Sequence, residues 1–141
     1  MTEPASEGLR ADAELKARLQ AVASPVHKAK GSYLFREHQP VAGVYLVRSG
    51  QVELTLKSER QRICLLLAGP DYVLGLPATL ANRAYSLTAR VTEDADLAFV
   101  PHRKAMALLR NDPQLCFRVV RMLSDEVRHL RNVIAHPLPV S

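Results

Sequence analysis

The apolar residues of this chain change their spacing part-way along the sequence, and this change constrains the fold more than any other feature. From Val26 to Val100 they occur in short runs that alternate with polar residues, as at Val52, Leu54 and Leu56. A period of two indicates strands with one buried face. After Pro101 the spacing becomes helical. Many short strands followed by helices predict a mainly β domain, a barrel or a sandwich, with flanking helices.

Turn residues divide the β region, which is predicted to span 26–100, into separate strands. Ser49 and Gly50 predict a turn between two of them. The segment 76–82, which follows Gly75, has no clear period and is expected to be irregular. Two last strands, at 85–91 and 96–100, are expected to be joined by an acidic turn at 92–94.

Helices are predicted on both sides of this β region. Residues 9–22 carry Leu15 and Leu19 at helical spacing, and the Ser-Pro pair at 24–25 ends that helix. The C-terminal helices are predicted to occupy 102–136, with a short one first. Asp112 is then a candidate N-cap, because proline follows it at the first helical position. No glycine or proline interrupts the long helix after that proline until residue 137.

The long helix carries a seam of apolar residues at steps of four and three, which is the spacing of a coiled coil. A second apolar line runs beside the seam, and two adjacent lines indicate burial against two partners, the barrel and the same helix of a second subunit. One wide stripe facing the core of a monomer is the alternative. The arginine-rich remaining face is expected to be solvated. The seam predicted for a homodimer consists of Cys116, Val120, Leu123, Val127, Leu130 and Ile134.

Length and composition indicate one cytoplasmic domain, residues 1–141. A chain of 141 residues is long enough to bury a core without disulfides or metals. The acidic, polar N-terminus is unlike a signal peptide, and no apolar run approaches the ~20 residues that span a bilayer. Cys64 and Cys116 each sit in an apolar run and are expected to be two buried thiols. The net charge of +5 is spread along the chain and is expected to be a solvated surface.

Two segments resemble the opening half of cyclic-nucleotide-binding domains. They read KGSYLFRE at 30–37 and GVYLVRSGQV at 43–52. The match continues in order through Gly75, the sequence RAYS at 83–86 and the long helix, and it is similar above all to the sensor domains of Crp/Fnr-type regulators. The resemblance implies a double-stranded β-helix, or jelly-roll barrel, between a short N-terminal helix and a long C-terminal dimerisation helix.

In that family a cassette between two strands binds the phosphate of the ligand, and the resemblance assigns it to residues 75–86. Glycine lets the backbone approach a ligand, and arginine offers donors that match a phosphate. Leu76 stands where the family has a glutamate for the ribose hydroxyl, so cyclic nucleotides are expected to bind weakly and a small anionic ligand remains possible. The residues expected to form the pocket are Gly75, Leu76, Arg83, Ala84, Tyr85 and Ser86, with Val127 and Leu130 of the long helix.

Catalysis, metal binding and direct DNA binding are not expected. His38 is the only histidine among the predicted strands proper, and a metal-dependent barrel enzyme needs clustered ligands. Regulators of the family carry a helix-turn-helix after the long helix, whereas only residues 137–141 follow it here. Two functions stay open: a ligand-sensing module that changes its helix arrangement, and a degenerate, ligand-free module for dimerisation or partner docking.

Overall fold

The computed structural model describes residues 8–135, with side chains described for residues 8–124. The strands are β1 (Gly8–Arg10), β2 (Ser24–Lys28), β3 (Tyr33–Phe35), β4 (Gly43–Ser58), β5 (Gln61–Ala68), β6 (Tyr72–Leu74) and β7 (Thr88–Pro101). The helices are α1 (Ala13–Val22), α2 (Leu76–Ala81), α3 (His102–Asn111) and α4 (Pro113–Ala135). The predicted mainly β architecture with flanking helices is confirmed. None of the helices in the described range is both long and apolar enough to cross a membrane.

Strands β4 and β7 form the centre of the sheet, and each of them belongs to two parts of it. The first half of β4 pairs with the second half of β7, beginning with Gly43 opposite Pro101. The second half of β4 pairs with the first half of β7 and ends with Thr55 opposite Thr88. The main path of the sheet is β1-β6-β4-β7-β2, while β5 pairs with β4 and β3 with β7. The pairings among these strands are antiparallel.

The two faces of β4 and β7 are buried in two different cores. One core fills the inside of the barrel and includes Val47 and Leu97. The other lies between the outside of the barrel and helices α1, α3 and α4, where Leu46 packs with Leu15 and Leu115. Because successive side chains of a strand point to opposite faces, the same two strands supply both cores.

Two turns predicted in the β region are wrong. Ser49 and Gly50 lie within the continuous strand β4, and the acidic residues 92–94 lie within β7. The register shifts on both sides of Ser49 show that the strands bend here without reversing. Gly50 has φ 87°, and a Cβ atom there would lie 2.3 Å from the carbonyl oxygen of Asp94. The glycine therefore permits a close crossing of β4 and β7 at a corner.

The bounds of two other elements also differ from the prediction. Residues 8–10 pair with β6 as a strand, so α1 begins only at Ala13, after Asp12 has capped it by accepting a hydrogen bond from the Leu15 amide at 2.9 Å. The segment expected to be irregular is the helix α2. The strand and helix spacings could not show this, because a six-residue helix is shorter than two turns.

The two cysteines are free thiols, but they are not both buried. Cys64 is exposed because it lies near the turn of the hairpin formed by β4 and β5, where, among the described strands, β5 pairs only with β4. Cys116 is half-buried on α4. The expectation of two buried thiols is therefore wrong for Cys64.

Helices α1 and α4 are joined by a reciprocal pair of interactions, which we call the cap brace (Asp12, Arg18, Asp112 and Arg118). Asp112 caps α4, as predicted, by accepting from the Leu115 amide at 3.1 Å, and it also pairs with Arg18 of α1 at 2.7 Å. Asp12 caps α1 and pairs with Arg118 of α4. Each capping carboxylate thus binds an arginine of the other helix. Arg118 is consequently not a merely solvated residue.

The cap brace predicts a specific pH dependence. The Leu15 amide, followed by Arg118, lowers the pKa of Asp12. Because the folded pKa is below the unfolded one, the stabilisation is present above the ordinary aspartate range and is lost as pH falls below about 4. Asp12→Asn keeps a good N-cap and should lower the free energy of unfolding slightly at pH 6. This difference from the wild type should become smaller as the pH is lowered from 6 to 3 in urea titrations. Glu93→Gln, a charge-matched change at an exposed residue, should show no such trend, and an equal trend in both variants would contradict the prediction.

Candidate functional site

The segment from Gly75 to Ser86 crosses one end of the barrel and is built on a left-handed glycine. Gly75 has φ 87° and precedes α2, and its carbonyl oxygen accepts from the amide and the hydroxyl of Thr79 at 3.1 and 2.8 Å. A Cβ atom at Gly75 would lie 3.0 Å from both the Gly43 carbonyl oxygen and the Tyr85 ring. Glycine at this position therefore leaves room for the tyrosine.

Tyr85 holds the far end of the segment against the barrel. Its backbone is paired with the turn at 36–39, since its amide donates to Gln39 O at 3.0 Å and its carbonyl oxygen accepts from the His38 amide at 2.9 Å. Its hydroxyl donates to Gly43 O at 2.9 Å and accepts from the amides of Ala42 and Gly43 at 3.0 and 3.1 Å. The phenol thus bridges backbone groups of Ala42 and Gly43 at a buried or partly buried location.

The ring of Tyr85 belongs to an aromatic cluster inside the barrel. It stacks on Phe35 with the centroids 3.9 Å apart and the planes 12° from parallel. Tyr45 lies 6.2 Å from Phe35 and 4.8 Å from Phe99, centroid to centroid. Burial, followed by the nearby Tyr85, raises the pKa of Tyr45. The space next to the segment is therefore filled by aromatic side chains.

The residues predicted for the ligand pocket do not all lie together. Tyr85 is buried inside the barrel, whereas Leu76 is buried in the other core, under the helices. Arg83, Ala84 and Ser86 are exposed. The side chains of Val127 and Leu130 lie outside the described part of the chain. The inward residue of the sequence RAYS is thus its tyrosine, while its arginine faces solvent.

The predicted seam of α4 is described as far as its third residue. Cys116 and Leu123 are half-buried against the core under the helices, and Val120 is 49% exposed. The side chains of Val127, Leu130 and Ile134 lie outside the described residues. Phe117, which is 64% exposed beside this seam, was not among the residues predicted for it. Phe117 is an apolar residue that lies between two seam positions, Cys116 and Val120, and this placement could have been used to predict it.

A polar cleft of 420 Å³ opens at the barrel end near the tip of the β4–β5 hairpin. We call it the hairpin cleft; Tyr33, Thr88 and six ionisable residues line it, namely Arg36, Glu37, His38, Lys57, Glu59 and Arg62. Sequence analysis did not find it, because its residues come from three separate segments and carry no motif. Only the period-two pairing of β4 and β5 brings Lys57 and Arg62 side by side.

A second cleft, of 530 Å³, lies along β2, β4 and β7. His27 and Asp96 approach each other there at 2.8 Å, and the Ser49 hydroxyl donates to the other carboxylate oxygen at 3.3 Å. The hydrogen bond with His27 is the main cause that lowers the pKa of Asp96. Both side chains are 64% exposed, so this is a hydrogen-bonded pair at the surface, in contact with water.

Comparison with protein families bears directly on the barrel just described. The model of the cyclic nucleotide-binding domain matches residues 25–112, which run from the second residue of β2 to the residue after α3. The chain belongs to the cyclic nucleotide-binding domain family. The jelly-roll fold predicted from the resemblance is thereby confirmed, together with its flanking helices.

Two of the curated relatives are named as a regulatory protein and a transcriptional activator. The chain is 25% identical to the anaerobic regulatory protein of Bacillus subtilis over 118 residues, covering 82% of this chain and 50% of the relative. It is 29% identical to the transcriptional activator protein Anr of Pseudomonas aeruginosa over 102 residues, covering 70% and 41%. The fold matches the catabolite activator protein of Thermus thermophilus with a TM-score of 0.79 at 24% identity, over 89% of this chain and 59% of that one. The chain thus spans about half the length of the curated relatives it matches.

The hydroxyl of Tyr85 predicts a measurable contribution to stability. Tyr85→Phe would leave two amides in a buried location without this acceptor, and unmet buried groups cost about 1–3 kcal/mol. We expect the free energy of unfolding in urea to fall by that amount. Tyr33→Phe removes the hydroxyl of an exposed tyrosine and should change the free energy by less than about 0.5 kcal/mol. Similar values for the two variants would show that the buried phenol does not support Gly43.

Proposed function

We propose that this chain is a non-catalytic regulatory input domain of the Crp/Fnr type, which senses a small anionic ligand and transmits its occupancy to helix α4. The observation that carries the proposal is that α4 packs on the barrel through Leu115 and Val119, which are 1% and 0% exposed, and leaves Phe117 and Val120 exposed. One helix thus contacts the barrel on one side and offers an apolar surface on the other. Such a helix is suited to pass a change in the barrel to a partner.

The relatives support a sensor over a module that only dimerises, because they are named as regulators. A transcription regulator of this type works in the cytoplasm, and we extend that location to this chain. The inside of the barrel also supports a role without catalysis. Its core consists of apolar and aromatic side chains, and the hydroxyl of Tyr85 is occupied by backbone groups. We include in the proposal that this domain acts as part of a longer regulator.

We further propose that cyclic nucleotides are poor ligands of the segment 75–86. Recognition of their phosphate needs an inward-facing donor, and arginine is the usual one. Here Arg83 is exposed, while Tyr85 occupies the inward position and stacks on Phe35. A nucleotide would have to displace a stacked ring and break its hydrogen bonds.

Calorimetry with cyclic AMP tests this part of the proposal. The wild type should bind with a Kd weaker than about 100 µM, which corresponds to less than about 5.5 kcal/mol. Arg83→Ala should behave like the wild type, and so should Arg110→Ala, a control at another exposed arginine. Sub-micromolar binding that is lost in Arg83→Ala alone would contradict the proposal and assign the phosphate site to Arg83.

The partner proposed for the exposed face of α4 is a second copy of this chain. The seam with steps of four and three continues along the sequence of α4 to Ile134, and such a seam is typical of helices that pair with each other. Burying one apolar side chain of this size contributes about 1.5–3 kcal/mol. Val120 of the seam, together with Phe117 beside it, would therefore stabilise the first turns of the dimer.

Light scattering tests the dimer. The wild type should have twice the mass of one chain at micromolar concentration, and Val120→Asp should have the mass of a single chain, because a carboxylate would be buried at the seam. Circular dichroism should show the same fold for both, since Val120 is 49% exposed in one chain. Gln114→Asp introduces the same charge at an exposed position near the start of α4 and should stay dimeric. A monomeric wild type ends the dimer proposal.

A further inference from the structure

The hairpin cleft has the size and the rigidity of a binding site for a small metabolite. Its volume of 420 Å³ is within the range of about 300–1,000 Å³ that is usual for ligand sites. One side of it is formed by β3 and the turn at 36–39, and the opposite side by the tip of the β4–β5 hairpin. Thr88, at the start of β7, lies between them and is 4% exposed.

The carboxylate of Glu37 joins the two sides. Its Oε1 atom accepts from the Lys57 amide at 3.1 Å, from Arg62 Nη1 at 3.1 Å and from the Thr88 hydroxyl at 3.2 Å. The same Arg62 nitrogen donates to the Thr55 hydroxyl at 2.9 Å. Only 10% of the Glu37 side chain is exposed. The cleft is therefore held open by a fixed hydrogen-bond network, and a ligand need not order it.

The charges that remain in the cleft are mainly positive. Glu37 is paired with Arg62, so these two charges compensate each other. Within residues 8–124, neither Arg36 nor Lys57 forms an ion pair with a carboxylate, and Arg36 is held over the Tyr33 ring at 3.9 Å. Glu59 is the remaining carboxylate of the lining. Two available cations beside one carboxylate suit a ligand with an anionic group and a hydrogen-bond donor.

Backbone conformation supplies an independent indication. His38 and Glu59 have φ of 72° and 55°, and both line the hairpin cleft. In the turn at 36–39 the Gln39 amide donates to Arg36 O at 3.1 Å, and the third position of such a turn favours glycine when its φ is positive. Glutamate is likewise unusual in this conformation. Strained backbone positions cluster at functional sites. The cleft has polar side chains at two positions where glycine would be free of backbone strain, and this favours a binding role for them.

We propose that the hairpin cleft binds a small organophosphate that carries hydroxyl groups, of which a sugar phosphate is the simplest example. The phosphate would lie between Arg36 and Lys57, whose donors can contact several of its oxygens, with His38 as a further contact. Glu59 would accept a hydrogen bond from a hydroxyl of the ligand. This ligand site rests on the proposed sensor role only for the regulatory effect of binding, because binding itself can be measured without any regulatory readout.

Calorimetry on the full chain tests the proposal with three probes: ribose 5-phosphate, glucose 6-phosphate and 3-phosphoglycerate. At least one should bind with a Kd below about 1 mM. Lys57→Gln and Arg36→Gln should each weaken it about tenfold or more, since a hydrogen bond to a charged group is lost. Lys104→Gln, on the exposed side of α3 and outside the lining of the cleft, should leave the Kd unchanged.

Two glycine variants separate binding from folding. His38→Gly and Glu59→Gly relieve a positive φ, so the melting temperature should rise or stay the same, while the affinity for the best probe falls. A Kd above about 1 mM for all three probes, equal binding of ribose, binding of citrate in their place, or wild-type affinity in Lys57→Gln would each overturn the proposal. If it fails while the dimer still depends on Val120, the proposed regulatory function stands and only the location and class of the ligand are refuted.

Discussion

The structure depends on the antiparallel pairing of two long strands, β4 and β7. Their backbones pair from Gly43 opposite Pro101 to Thr55 opposite Thr88. Where the first half of β4 pairs with the second half of β7, apolar groups cover both faces of the two strands. A strand in this position cannot shift by one residue, because a shift would exchange the side chains that face the barrel interior with those that face the helices. The barrel core and the helical core therefore share one register.

This shared register has a functional meaning. Val47 lies in the barrel core, while Leu46 contacts the core under α1, α3 and α4. A movement of β4 caused by a ligand on the barrel side would change the packing on the helix side without passing through a flexible loop. Rigid elements with two packed faces are a physical route by which coupling travels. The hairpin cleft is built on the far end of the same strand, at Lys57.

Local signals in the sequence gave the right answer where the structure is set within one turn, and they failed where it is set by pairing with a distant strand. The start of α4 at Asp112 and Pro113 was predictable because capping acts within one turn. Ser49 and Gly50 form the usual sequence of a hairpin turn, yet they lie at a corner of a continuous strand. What distinguishes the two cases is the partner strand β7, which is about 45 positions away and leaves no mark on the local sequence.

The same reason explains the limits at the site. The sequence RAYS identifies the segment 75–86, but Arg83 and Tyr85 are two positions apart and would face the same way in an extended strand, so the pattern alone could not show that Tyr85 is buried while Arg83 is exposed. Hydrogen bonds from Tyr85 to Gly43, 42 positions away, decide it. Glu37 was equally unpredictable, because its partners at 57, 62 and 88 belong to other strands.

The cap brace makes two helix ends behave as one unit of local unfolding. Asp12 and Asp112 each satisfy the first turn of their own helix and an arginine of the other. Fraying of either first turn withdraws the carboxylate that the opposite helix also uses, so the loss of one cap weakens the other. Helix ends usually open independently and at low free energy. Here α1 and the beginning of α4 would open together. Helix α1 thereby stabilises the start of the helix that is proposed to transmit the signal.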